Sequence, residues 1–279
     1  MSHAAHQAGP GALTRSLPTP AGRVDGRVTL PRVVASEWSK LWSVRSTPLV
    51  IVAAALAMVV FGAVIGHNTR NPAGLDPEDL VASGPLQGYY LGQLLIGSLG
   101  VLVVSGEYSS GMIRATFAAV PRRLPVLLAK LLVFSVVVAT VMAAASVAAF
   151  LLAQAFLSGY RPTYSLADAD VLRVVIGTGV YLTLIGLLGG AIGWIVRSTP
   201  GALVSLFAVV LVLPVLLLLF HGAWAQHVGA WLPSGAGAAF STSLHTPGEL
   251  APWTGLAVMV GWVAVAYGCA AVLLHRRDA

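Results

Sequence analysis

The sequence predicts an all-α polytopic membrane protein with six transmembrane helices, an N-terminal interfacial elbow helix and a short helix in a cytoplasmic connection. Three observations carry this reading. Hydrophobic residues make up 57% of the 279-residue chain and charged residues only 9%, against about 25% charge in a soluble domain; mean hydropathy is +0.84. The apolar residues gather in six continuous runs, roughly Leu49–Gly66, Leu86–Ser105, Val126–Leu157, Val171–Val196, Ala202–Phe220 and Trp253–Leu274. The Lys and Arg residues fall almost entirely in alternate connections between those runs.

Most runs match the roughly 20 apolar residues that one helical crossing requires. They are continuously apolar, whereas a membrane barrel alternates in polarity, so helices are the solution that satisfies the backbone in lipid. The third run exceeds one perpendicular crossing and is expected to tilt or to begin outside the bilayer. The fourth carries Gly186, Gly189, Gly190 and Gly193. The pairs Gly186/Gly190 and Gly189/Gly193 are small-xxx-small, a spacing that lets helix backbones approach closely; packing within the chain is favoured over a substrate-facing role. Pro214 is a candidate kink in the fifth run. Cys269, the single cysteine, lies in the last run and reads as a packing residue.

Thirteen Lys and Arg residues lie in the N-terminal segment, the second-to-third connection, the fourth-to-fifth connection and the C-terminus. Only Arg70, Arg161 and Arg173 lie on the other side, where most of the acidic residues also fall. The positive-inside rule then predicts both termini cytoplasmic in a multi-pass protein of the plasma membrane. Residues 1–30 are small, polar and rich in Pro and Gly, and are expected to form a disordered cytoplasmic tail. Residues 31–279 then form the six-span domain, with the first run as an uncleaved anchor.

In Arg32–Arg45, the residues Val34, Trp38, Leu41 and Trp42 fall on one helical face, with Lys40 among the polar residues opposite. Tryptophans flanked by basic residues suit the headgroup boundary. The segment reads as an elbow helix along the inner leaflet, bending into the first span near Pro48. It serves either as a plain lipid anchor or also as a partner contact; Glu37, at the edge of the apolar face, favours the second.

The connection Gly106–Pro125 holds a second helical pattern, in which Ile113, Thr116, Phe117 and Val120 share a face and Pro121 ends the helix. Either the inner ends of the spans cover that face or a partner does. Arg114, Arg122 and Arg123 suit acidic groups or anionic lipid, and Glu107 marks the exit of the second span. On the other side, His221–Pro252 lacks Lys and Arg and contains WLPSGAGAAF, too short to cross, so a re-entrant or surface-lying turn is expected. His221, His227 and His245 lack metal-ligand spacing, so neither a metal nor a cofactor is expected.

Several function classes are excluded by what the sequence lacks. No G-x-x-x-x-G-K-[ST] occurs, so no P-loop ATPase is encoded. No ionisable residue falls in the middle of a run, whereas ion-driven transporters use such groups. No H-E-x-x-H or G-x-S-x-G occurs, so the chain is not read as an enzyme. Basic residues form no stripe with interleaved aromatics, which excludes nucleic-acid binding.

Four segments in order carry a resemblance. These are EWSKLWSVRST at 37–47, GEYSSGMIRATFAAVPRR at 106–123 followed by Lys130, GAIGWIVRSTPGAL at 190–203, and LPSGAG at 232–237. Together they resemble actinobacterial ABC-type multidrug or antibiotic exporter permeases, the type-two ABC membrane subunits, over nearly the whole chain after the N-terminal tail. The resemblance implies a permease paired with a second copy or a paralogue, and separate cytoplasmic ABC ATPase subunits. It places Glu107, Tyr108, Gly111, Ile113 and Arg114 near the coupling contact, with Phe117 on the same short helix. It places Glu37, Trp38, Leu41, Trp42 and Arg45 in the elbow helix. The expected function is ATP-driven export of a hydrophobic or amphipathic substrate; the alternative is a non-transporting membrane scaffold or sensor-associated protein.

Overall fold

Continuously apolar segments must satisfy their backbone internally, and every regular element among the described residues is helical. The computed structural model describes residues 29–69, 84–120, 122–159, 164–168, 170–220, 222–243 and 248–276. The tail expected at residues 1–30 lies almost wholly outside them. Ten helices are used below. They are α1 (Leu30–Ser43), α2 (Ser46–Asn68), α3 (Tyr89–Ser109), α4 (Met112–Ala119), α5 (Arg123–Leu157), α6 (Val171–Val196), α7 (Thr199–Leu217), α8 (Ala223–Trp231), α9 (Pro233–Ser241) and α10 (Pro252–Arg276). Six of them, α2, α3, α5, α6, α7 and α10, are long and apolar enough to cross a membrane. The protein is therefore an all-α, polytopic membrane protein.

Helix α6 is the centre of the bundle. Of its most apolar stretch 72% is buried, against 17% for α7 and for α10, which lie at the periphery. It packs on α3, α5, α9 and α10. The crossing with α3 is made by glycine on both sides. A Cβ at Gly100 would overlap the carbonyl oxygen of Gly186, and one at Gly189 would overlap that of Gly97. Gly193 faces Val101 and Val104, and Gly190 faces the Tyr267 hydroxyl of α10. Helix α2 meets α5 in the same manner: a Cβ on Gly62 would lie 2.6 Å from the Ala149 oxygen. Lipid supplies no hydrophobic drive between helices, so close backbone packing supplies the adhesion.

The long α5 has 35 residues, about 52 Å at the helical rise. Its excess length is used at one end, where Val126 and Ala129 pack with Val33 of α1, with Phe117 of α4 and with Val120 just after it. This end, which also carries α1 and α4, is called the elbow end here. The bend between α1 and α2 falls at Val44 and Arg45 rather than at Pro48, which sits in the first turn of α2. A proline is tolerated there because its missing N–H would have no intrahelical acceptor. Pro214 acts further upstream than a simple kink: Ala208–Val212 winds as a π-helix just before it. That widening accommodates the missing donor and the ring's clash with the carbonyl four residues back.

At the opposite end, α8 and α9 form a helical pair. Helix α9 enters the bundle, burying Ala236, Gly237, Ala239 and Phe240 against α6 and α10, while α8 buries only Ala225. Arg173 closes the C-terminus of α9, donating to Phe240 O at 2.9 Å and Thr242 O at 3.3 Å. A cation suits that negative end of the helix dipole. Of the three histidines read in this region, His227 is exposed, and His221 and His245 lie outside the described residues.

Candidate functional site

Three helices converge at the elbow end, and each brings charge inward. From α1 come Glu37 and Lys40, from the last turn of α3 comes Glu107, and from the third turn of α5 comes Lys130. Glu37, Glu107 and Lys130 are buried, at 4%, 5% and 6% exposure. The Lys130 ammonium lies 2.6 Å from Glu37 Oε2 and 2.9 Å from Glu107 Oε1. Lys40 lies 2.7 Å from Glu37 Oε1 and 3.2 Å from Glu107 Oε1. Lys40 also donates to Thr116 Oγ1 of α4 at 3.1 Å, and Lys130 to Val103 O at 3.4 Å. The cluster holds two carboxylates and two ammonium groups, so its net charge is zero.

The chain contains only two lysines, and both are here. Lysine suits the geometry: a compact ammonium aims three donors at three separated acceptors, whereas arginine presents a planar fork. Counted by sequence alone, Lys40 and Lys130 were topology charges, and both also fell in the segments that carry the resemblance. Their rarity among the basic residues was the available signal of a specific role.

The elbow helix has two apolar directions. Val33, Glu37 and Leu41 are buried at i, i+4, i+8. Trp38 and Trp42, expected on the same face as Leu41, point outward at 47% and 43% exposure and contact each other edge-on at 5.9 Å. Lys40, expected on the opposite polar face, turns inward to the cluster. Arg45, at the bend, is exposed.

Helix α4 follows Gly111, whose φ of 72° makes the turn from α3; a side chain is strained in that left-handed region. Ile113 is buried, and Thr116, Phe117 and Val120 are half-buried. The apolar face of α4 is covered by the chain itself. Ile113 joins Val104, Leu127, Trp194 and Leu274, and Phe117 packs on the same group. Met112, Arg114, Ala115 and Ala118 form the exposed side. Tyr108 packs edge-on against Trp194 at 5.9 Å, with the Arg197 guanidinium 5.3 Å from its ring centre. The Arg123 guanidinium lies 5.4 Å from the Phe117 ring centre and donates to Leu274 O at 2.6 Å, tying the start of α5 to the end of α10. The predicted residues thus divide. Glu37, Leu41, Glu107 and Ile113 are brought together inside, Tyr108 and Phe117 are half-buried, and Gly111, Arg114, Trp38, Trp42 and Arg45 are exposed. Gly186, Gly189, Gly190 and Gly193 belong to the α6 crossings, and their partners Gly97 and Gly100 escaped the sequence reading because they lie three apart and neither has a small residue four positions away.

Two openings border the cluster. A cavity of about 280 Å³ lies between α1, the start of α2, α3 and α5, lined by Glu37, Lys40, Glu107 and Lys130 and by apolar residues such as Leu41 and Leu99. A shallower groove of about 390 Å³ runs between α1 and α4, from Arg32 and Ser36 to Ala115 and Ala119.

Burial lowers the Lys40 pKa, but its bond to Glu37 and the charges of Glu107 and Glu37 outweigh that effect. They hold the ammonium above the ordinary value of 10.5. A raised folded-state pKa contributes stability that is fully present below the unfolded value and is lost as pH rises through the folded one. Wild-type protein and Lys40→Met should therefore show a constant difference in thermal midpoint from pH 7 to about 10, narrowing at higher pH. A difference that stays constant to pH 11.5 would mean that Lys40 is not stabilised by its partners.

Against models of known protein families and against curated proteins, the chain gives no match.

Proposed function

We propose that this protein is the membrane-spanning permease subunit of an ATP-driven ABC exporter, working with separate cytoplasmic ATPase subunits and a second permease copy or paralogue. The observation that carries the reading is the buried cluster beneath α4. Burying three charges and half-burying a fourth is not an efficient route to stability, since a buried ion pair often does no better than apolar residues of similar volume. What the cluster does is fix α1, α3, α4 and α5 relative to one another. A force on α4 reaches α1 through the Thr116–Lys40 bond and α3 and α5 through Glu107 and Lys130. Helix α3 then meets the central α6 at the glycine crossing.

The elbow end carries most of the Lys and Arg, which supports a cytoplasmic position for it and for both termini. Among the described residues, the charged groups on the spans lie near helix ends, which supports an energy source outside the bilayer. In this reading the ATPase touches the exposed side of α4 at Met112, Arg114 and Ala115. Glu107, Ile113 and Phe117 pass the displacement onward rather than making the contact, and the movement is a rigid-body rocking of packed helices.

The test is native pull-down of the tagged chain and identification of any P-loop ATPase that co-purifies with it, followed by ATP hydrolysis and transport in liposomes. Arg114→Glu is expected to lower ATPase recovery at unchanged permease yield. Glu107→Gln is expected to keep the ATPase bound while transport per ATP falls at least tenfold. Recovery of no ATPase, or full transport in both variants, would overturn the reading.

A further inference from the structure

The cavity beside the charge cluster has an unmet hydrogen-bonding demand that can be counted. An ammonium group has three donors and a carboxylate oxygen accepts about two hydrogen bonds. Lys130 spends its donors on Glu37, Glu107 and Val103 O, and Lys40 spends its own on Glu37, Glu107 and Thr116. Both lysines are therefore saturated. Both oxygens of Glu37 are engaged, and Glu107 Oε1 is shared by the two lysines. Glu107 Oε2 is buried and finds no hydrogen-bond donor among the described residues. A buried carboxylate oxygen without a donor is costly. The site lacks a donor and not an acceptor, which disfavours an anionic ligand and favours one that brings N–H donors.

The walls set the rest of the ligand. Leu41, Leu99, Val103 and Val133 make the lining largely apolar, and Val44, Leu102 and Met112 at its edge are 39–48% exposed. Val44 directly follows α1, whose exposed tryptophans suit an interface between lipid and water. Glu107 lines this cavity, which sets its under-bonded carboxylate at the wall.

We infer that this cavity binds an amphiphile bearing a primary or secondary ammonium, which donates to Glu107 Oε2 while its hydrocarbon lies along α1 and α3. A membrane phosphatidylethanolamine and a free amphipathic amine share this chemistry. The site belongs to this chain alone and does not depend on the transport reading.

The test is native mass spectrometry of the full-length chain in detergent, with four probes: dodecylamine, dodecyltrimethylammonium, phosphatidylethanolamine and phosphatidylcholine. The trimethylated head groups carry the same charge without an N–H donor. One dodecylamine per chain is expected to be retained at least tenfold more tightly than its trimethylated analogue. If phosphatidylethanolamine is likewise preferred over phosphatidylcholine, the source includes lipid; dodecylamine selectivity alone identifies a free amine.

Glu107→Gln should abolish the selectivity. Because that change also disturbs the cluster, Gly106→Leu is the second variant. Gly106 lines the cavity, and a Cβ there meets nothing within 4 Å. The leucine should fill the space, leave folding intact and reduce amine retention at least tenfold. Equal retention of amine and trimethylated probes by the wild type, or amine selectivity surviving in folded Gly106→Leu, would overturn the inference.

Discussion

Replacing Lys130 with methionine is expected to cost the folded chain about 3–5 kcal/mol. The side chain is 6% exposed and bridges two carboxylates on different helices. Without it, Glu37 and Glu107 share a single ammonium, Lys40, in a site that water does not fully reach. The penalty comes mainly from the uncompensated negative charge rather than from lost packing, since methionine retains most of the volume. Restoring neutrality should therefore recover stability: Lys130→Met with Glu107→Met is expected to regain at least half of the loss, a non-additivity that a double-mutant cycle reads directly. Thermal midpoints in detergent, followed by size-exclusion chromatography, give the four corners of the cycle. If the double variant is as unstable as the sum of the single ones, the four groups do not act as one neutral cluster.

Gly100→Ala should be nearly as damaging despite adding one methyl group. The added Cβ would overlap the Gly186 carbonyl and lie 3.0 Å from the Gly190 nitrogen. Both neighbours are backbone on the most buried helix, so neither can rotate away, and α3 must separate from α6. Overpacking of this kind costs about 1–3 kcal/mol or more. Gly106→Ala, two turns along the same helix, is the control, because its Cβ meets open space. It should be neutral or stabilise by up to about 1 kcal/mol, since alanine is the better helix former. Equal midpoints for the two variants would show that α3 and α6 are less closely crossed than described.

The six spans were legible because hydropathy is a local property: each helix satisfies its own backbone, and a run such as Val171–Val196 announces itself without reference to any other. The α4 pattern was legible for the same reason, since Ile113, Thr116, Phe117 and Val120 repeat at helical spacing within one short segment. That the chain itself covers this face was a tertiary outcome, because Trp194 and Leu274, which help to bury Ile113, come from the fourth and sixth spans.

The elbow helix marks the limit most clearly. By itself the sequence determined a helix with apolar and charged residues at fixed angles, and it determined that Trp38 and Trp42 share a side. It did not determine which apolar direction faces protein, because lipid and protein interior are both apolar and a hydrophobic pattern cannot tell them apart. Only the tertiary structure decided that, by turning Lys40 inward to meet Glu107, 67 residues further along the chain, and Glu37 to meet Lys130, 93 residues further along. Charges cannot remain unpaired in that environment, so the pairing of four distant residues settled an orientation that hydrophobicity left open.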